Sequence, residues 1–133
     1  MTVSVASSYG VDHAPSSYWP TDIRYDKSRK LLTLVFNDGI TFELSAELLR
    51  VESPSAEVQG HGPGQKQLVA GRRHVGITAI EPVGNYAVRL IFDDLHDTGL
   101  YSWRYLRDLG QRQEEIWQDY LGRLKTAGAT RDL

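Results

Sequence analysis

Apolar and polar residues alternate along much of the first half of the chain. Leu32, Leu34 and Phe36 fall on one side of an extended segment, with Thr33 and Val35 on the other. That period of two marks a strand with one covered face. Asn37-Asp38-Gly39 interrupts it with turn chemistry, Gly39 being free to take a positive φ. The alternation resumes at Ile40, Phe42 and Leu44, so a hairpin is predicted, with a further strand at Thr21–Asp26. Ser45 stands where an N-cap is needed for a short helix over Ala46–Val51, ended by Pro54. A strand is predicted over Val75–Pro82, and a second hairpin after it. In that hairpin Tyr86, Val88, Leu90 and Phe92 alternate, Asp93-Asp94-Leu95-His96-Asp97 turns, and Thr98–Trp103 returns. The period then changes. Ile116, Trp117, Tyr120, Leu121 and Leu124 share one face of a helix. Glu114 and Glu115 suit its start, Arg123 and Lys125 its end, and Gly128 its stop. Strands first and a helix last predict an α+β fold. Its elements are a largely antiparallel sheet of two hairpins plus an extra strand, a short helix after the first hairpin, and a longer C-terminal helix.

Three zones follow. Residues 1–20 hold five serines and two prolines with little apolar periodicity, and read as a disordered arm whose end, Tyr18-Trp19-Pro20, docks on the domain edge. Residues 21–110 form the domain proper, and residues 111–133 an amphipathic helix and tail. A chain of 133 residues can bury about two-thirds of its surface without metal or disulfide. Irregular residues 55–74 carry Gly60, Gly62, Gly64 and Gly71 with Lys66, Arg72 and Arg73. The 58–74 part is expected to be the most mobile internal segment.

Composition narrows the chemistry. There are no cysteines, which excludes disulfides, thiol nucleophiles and thiolate metal sites. The net charge of −2 advertises no nucleic-acid partner, and Arg72 and Arg73 are too few for a stacking platform. No secretory leader is visible, and no apolar run reaches the roughly 18 residues of a membrane span. A soluble cytoplasmic protein, with no membrane partner, is the expectation.

The motifs fail one by one. Gly60-His61-Gly62-Pro63-Gly64-Gln65-Lys66 has neither the spacing of a Walker loop nor that of a dinucleotide fingerprint. It leaves room only for anion contacts from backbone amides with Lys66, Arg72 and Arg73. Asp94-x-His96 reverses the order of the strand motif of iron oxygenases. Asp93, Asp94 and Asp97 make a loose cation site or a solvated turn. Ser45, Ser53 and Ser55 lack a nucleophile elbow. Serines beside Pro54 read as turn formers, with proximity to a histidine and an acid left open. Tyr101, Trp103, Arg104 and Tyr105 are of types enriched at protein interfaces, unless Trp103 is simply core.

Blocks of residues in order carry a resemblance. They are Thr21-Asp22-Ile23-Arg24, Asn37-Asp38-Gly39, Glu47-Leu48-Leu49-Arg50, Ser53-Pro54-Ser55-Ala56-Glu57-Val58 and Gly60-His61-Gly62-Pro63-Gly64. Gly76-Ile77, Ile80-Glu81-Pro82-Val83-Gly84-Asn85-Tyr86-Ala87, Phe92-Asp93-Asp94-Leu95-His96-Asp97-Thr98-Gly99 and Tyr101-Ser102-Trp103 follow. Over about residues 20–110 the chain closely resembles the γ-butyrobetaine hydroxylase-like N-terminal domain family. In that family the module stands alone in small bacterial proteins of unknown function. It also precedes oxygenase domains in γ-butyrobetaine and trimethyllysine hydroxylases, and is fused to P-loop iron–sulfur carriers. The oxygenase jelly roll has no counterpart in these 133 residues, so the resemblance implies an accessory module rather than an enzyme. The hydroxylases' module holds a structural zinc on three cysteines and a histidine. Their places fall on Ser53, Ser55, Val58 and His96, so the resemblance implies a site whose sulfur ligands are lost.

The resulting expectation is a non-catalytic interaction module, linked by family analogy to iron–sulfur or oxygenase assembly. Its partner is another protein, it has no resident cofactor, and nothing fixes its oligomeric state. The alternative is a domain binding a small molecule, an anion or a weakly held divalent metal; a third reading is a small enzyme with His61 or His96 as acid–base. Candidate binding residues are Arg50, Ser53, Pro54, Ser55, His61, Gly62, Gly64, Arg72, Arg73, Asn85, Asp94, His96 and Trp103. The binding centre is expected where Ser53–His61 meets the turn at Asp94 and His96, with Arg50, His61 and His96 as surface side chains.

Overall fold

The computed structural model describes residues 2–3, 17–60, 62 and 64–132. Most of the expected arm, residues 4–16, lies outside the described residues, as do His61 and Pro63. The first sheet runs β1 (Thr2–Val3), β2 (Pro20–Asp26), β3 (Leu31–Phe36) and β4 (Thr41–Ser45) in that order, all antiparallel. Directly opposed residues share a face. Ile23 opposes Leu34, Tyr25 opposes Leu32 and Leu32 opposes Leu44, so one face is continuously apolar and buried. The second sheet is β5 (Ile77–Val83), β6 (Ala87–Phe92) and β7 (Leu100–Ser102). The fold is α+β, as the pattern predicts, but the two hairpins lie in separate sheets. Both sheets feed one core, in which Leu34, Phe36, Leu90, Phe92 and Tyr101 meet.

The short helix α1 spans Ala46–Val51, and the Ser45 hydroxyl accepts the Leu48 amide at 3.0 Å. All six of its residues are buried, Glu47 and Arg50 included. A second short helix, α2 (Ala56–Gln59), follows Ser55. It is too short to show a period in sequence.

The long helix α3 spans Trp103–Ala127, and so crosses the expected boundary between residues 110 and 111. Ser102 starts it, its hydroxyl accepting the Tyr105 amide. Glu114 and Glu115 therefore lie in its middle rather than its first turn. Leu106, Leu109 and Gly110 bury its first half. A Cβ on Gly110 would run into the Phe42 ring, so glycine lets the helix close against β4. The second half buries the predicted face, with Tyr120 and Leu124 packed on Val51 in a satellite cluster. Gly128, at φ +66°, ends it in the left-handed conformation.

The described part of the 58–74 segment has no helix or strand beyond Gln59, but it is tied down. Leu68, Val69 and Ala70 cover the satellite cluster. The Gly71 and Arg73 amides donate to the Thr130 and Arg131 carbonyls, so the C-terminal tail runs beside the loop.

Candidate functional site

The second hairpin places its tip over the end of α1. Phe92 N–H donates to the His96 carbonyl, and Leu95 N–H to the Phe92 carbonyl, which closes the turn. Asp94 then anchors it. One carboxylate oxygen accepts from Nε of Arg50 at 2.8 Å and Nε of Arg72 at 2.7 Å. The other accepts the His96 amide at 3.2 Å. Burial alone would raise the Asp94 pKa, but the Arg50 hydrogen bond, the His96 amide and Arg72 hold it below the usual range. One carboxylate thus joins α1, the 58–74 segment and the tip.

His96 points inward. Its Nε2 lies 2.8 Å from Ser53 Oγ and 3.3 Å from Ser55 Oγ. Its Nδ1 lies 3.3 Å from a carboxylate oxygen of Glu57. With the proton on Nδ1 facing Glu57, Nε2 accepts from Ser53, and every polar atom of the ring is satisfied. Burial, then the positive charge of Arg50, lowers the His96 pKa against the opposing pull of Glu57 and Asp94. The ring is therefore neutral near pH 7.

Ser53, His96 and Glu57 have the sequence of contacts of a nucleophile, a base and an orienting acid. Their exposure is inverted. Ser53 is 0% exposed, whereas the Glu57 side chain is 63% exposed. Gly99 closes over the serine, for a Cβ there would come within 2.6 Å of its Oγ. A sealed hydroxyl has no route to a substrate, so the arrangement works as a structural lock. The acid–base reading of His96 loses its access for the same reason.

The zinc set implied by the resemblance does not fit the ion. Ser53 and Ser55 offer neutral hydroxyls already bonded to each other and to His96. Val58, buried in α2, offers no donor atom. Among the described residues no group of three or more His, Asp or Glu side chains gathers as a metal site.

The structure therefore brings Arg50, Ser53, Ser55, Arg72, Asp94 and His96 to one corner, with Pro54 against Gly99. Arg50 and His96 are not surface side chains. They are 8% and 6% exposed, because each closes a bond between the tip and the α1–α2 segment. Arg50 Nη1 is buried without a hydrogen-bond partner among the described residues. Arg73 turns away to Asp132. Asn85 and Trp103 sit elsewhere and meet each other, the indole donating to the Asn85 carbonyl at 2.8 Å; Trp103 is core. Gly62 and Gly64 shape the loop, where Gln65 N–H donates to the Gly62 carbonyl. Sequence reasoning misses Glu57 as a partner of His96. Glu57 does lie within the Ser53–His61 stretch expected to meet the tip, but nothing in the sequence singles it out as the partner.

A cavity of about 270 Å³ lies beside the tip, between residues 71–75, 93–94 and 131–132. Among the described residues no helix is long and apolar enough to cross a membrane.

Residues 23–107 match the family model described as "Gamma-butyrobetaine hydroxylase-like, N-terminal". Three solved structures are similar. Two, described only as NMR solution structures of a protein, share 47% and 50% identity. They cover 86% and 90% of this chain and 90% of each of those, at TM-scores of 0.75 and 0.76. The third is a crystal structure of a DUF971-family protein of unknown function from Acidithiobacillus ferrooxidans. It is 40% identical over 68% of this chain and 91% of that one, at a TM-score of 0.59. No curated protein matches.

Proposed function

Because the chain belongs to the γ-butyrobetaine hydroxylase-like N-terminal family, we propose that it acts as a non-catalytic docking module for another protein. The observation that carries this reading is the sealed Ser53. A hydroxyl, an imidazole and a carboxylate are assembled, yet the hydroxyl is fully buried, so the corner offers rigidity rather than turnover. What it presents outward is the hairpin tip with Asp97 and the Glu57 carboxylate, both exposed. The family resemblance suggests the kind of partner, a protein of iron–sulfur or oxygenase assembly, since it implies that other members of the family carry this module joined to such domains. The cytoplasm is the compartment that fits this role. On this reading the module needs no cofactor, and the serine–histidine lock occupies the positions where the resemblance to the hydroxylases implies a zinc site. The alternative, an anion or small-molecule site, has weaker support. The Arg72 guanidinium that it would use is already committed to Asp94, which is mostly buried.

The test is affinity capture of the tagged chain from its native cell, with partners identified by mass spectrometry. Glu57→Gln, whose amide oxygen still accepts from His96, combined with Asp97→Lys at an exposed position, is expected to leave the fold intact and to reduce recovery of an iron–sulfur or oxygenase partner at least tenfold. Equal recovery by the variant, or capture of neither class, overturns the reading.

A further inference from the structure

Leu95 breaks two rules at once. It is 89% exposed, far more than any other exposed large apolar residue described. It also sits at φ +72°, where any side chain is strained and glycine is at ease. The residues on either side hold it there. Asp94 is clamped by Arg50 and Arg72, and His96 is locked between Ser53, Ser55 and Glu57. Leu95 is thus an apolar knob on a rigid mount. The turn's bonds fix that backbone but leave the bulky side chain in water, a choice of residue that points to a contact site rather than to a turn built for stability.

The cavity of about 270 Å³ beside the tip is the matching socket. It falls below the roughly 300–1,000 Å³ of ordinary ligand pockets, a size that suits a side chain better than a metabolite. Val75, Arg72 and Arg131 contribute to its walls. Asp93 and Asp94 belong both to the tip and to the socket, so knob and socket share an edge. A patch carrying its own complement side by side is what a two-fold contact requires. Charge agrees. The knob is flanked by exposed Asp93 and Asp97. The socket's Arg73 pairs with Asp132, whose side chain is 60% exposed, and exposed pairs exchange partners at little cost.

We propose that two copies of this chain associate reciprocally, Leu95 of each entering the socket of the other and Asp97 of each facing Arg73 of the other. The contact is small, so the dimer is weak and reversible. The proposal rests on the reading of this corner as a docking face, and adds to the partner protein a second, weakly held occupant, another copy of this chain.

Sedimentation velocity of the purified full chain tests it. Over concentrations from about 10 μM to 1 mM, the range for weak complexes, the wild type is expected to shift from monomer toward dimer. Leu95→Gly, which relieves the strain and so folds, is expected to stay monomeric throughout. Asp97→Lys and Arg73→Glu are each expected to be monomeric alone and to dimerise when mixed, since the mixed pair restores opposite charges across the contact. A wild type that stays monomeric, a Leu95→Gly chain that dimerises as the wild type does, or a mixture that stays monomeric overturns the dimer. Partner capture is read separately, so loss of self-association with capture intact leaves the docking module standing, and the reverse leaves the dimer standing.

Discussion

His96 shows how a single residue couples the corner to pH. Its folded pKa lies below the unfolded value of about 6.5. The unfolded chain therefore binds a proton that the folded chain refuses. The stability is present in full above the unfolded pKa, and is lost as pH falls below it toward the lowered folded value. His96→Gln, which keeps a polar group near Ser53 without titrating in this range, is expected to flatten that slope. Urea midpoints between pH 5 and pH 7.5 would check it: the wild type should lose more on acidification than the variant, and parallel curves would contradict the argument. Sequence reasoning reaches the residues of this corner, since Ser53, Ser55, Asp94 and His96 all stand among the candidates. It places Arg50 and His96 at the surface because polarity is the usual mark of exposure. Their burial depends on partners 41 to 44 positions away in the chain, which no local pattern encodes.

Among the elements, α3 has two glycines with opposite reasons. A Cβ added at Gly122 would meet nothing within 4 Å, whereas one at Gly110 would face the Phe42 ring. Gly122→Ala should therefore stabilise by about 0.5–1 kcal/mol, the ordinary helix preference. Gly110→Ala should destabilise by about 1–3 kcal/mol, because the added methyl displaces a packed ring and outweighs that preference. Thermal melting of the two variants should move in opposite directions, and a stabilised Gly110→Ala would show that Phe42 yields freely. The same helix shows where pattern reading stops. The face from Ile116 to Leu124 is legible because it repeats every 3.6 residues. The start of the helix at Trp103 reads instead as the end of a strand, because its apolar residues follow β7 without a break and the Ser102 cap is a single residue.

At the scale of the whole molecule, the C-terminal tail holds the interior together. Arg131 reaches both carboxylate oxygens of Glu47, at 2.8 and 2.6 Å, and its guanidinium lies 5.0 Å from the Trp117 ring centre. Glu47 is only 6% exposed, so Arg131→Ala leaves a buried carboxylate without its partner. A loss of about 1–3 kcal/mol is expected, and the double change with Glu47→Gln should recover part of it. Hydrogen exchange should also quicken at Gly71 and Arg73, whose amides bond to the tail; unchanged exchange there would mean that loop and tail are independent. The sequence by itself determined the two hairpins, the capped short helix, the C-terminal helical face and the α+β class. Each rests on a periodicity or a cap that a few neighbouring residues set by their own geometry. Only the tertiary structure decided that the hairpins divide into two sheets, that Ser53 is sealed under Gly99, that Glu57 meets His96, and that the tail closes on Glu47. Those outcomes depend on which distant surfaces exclude water together, and burial of that kind is a property of the assembled chain rather than of any segment.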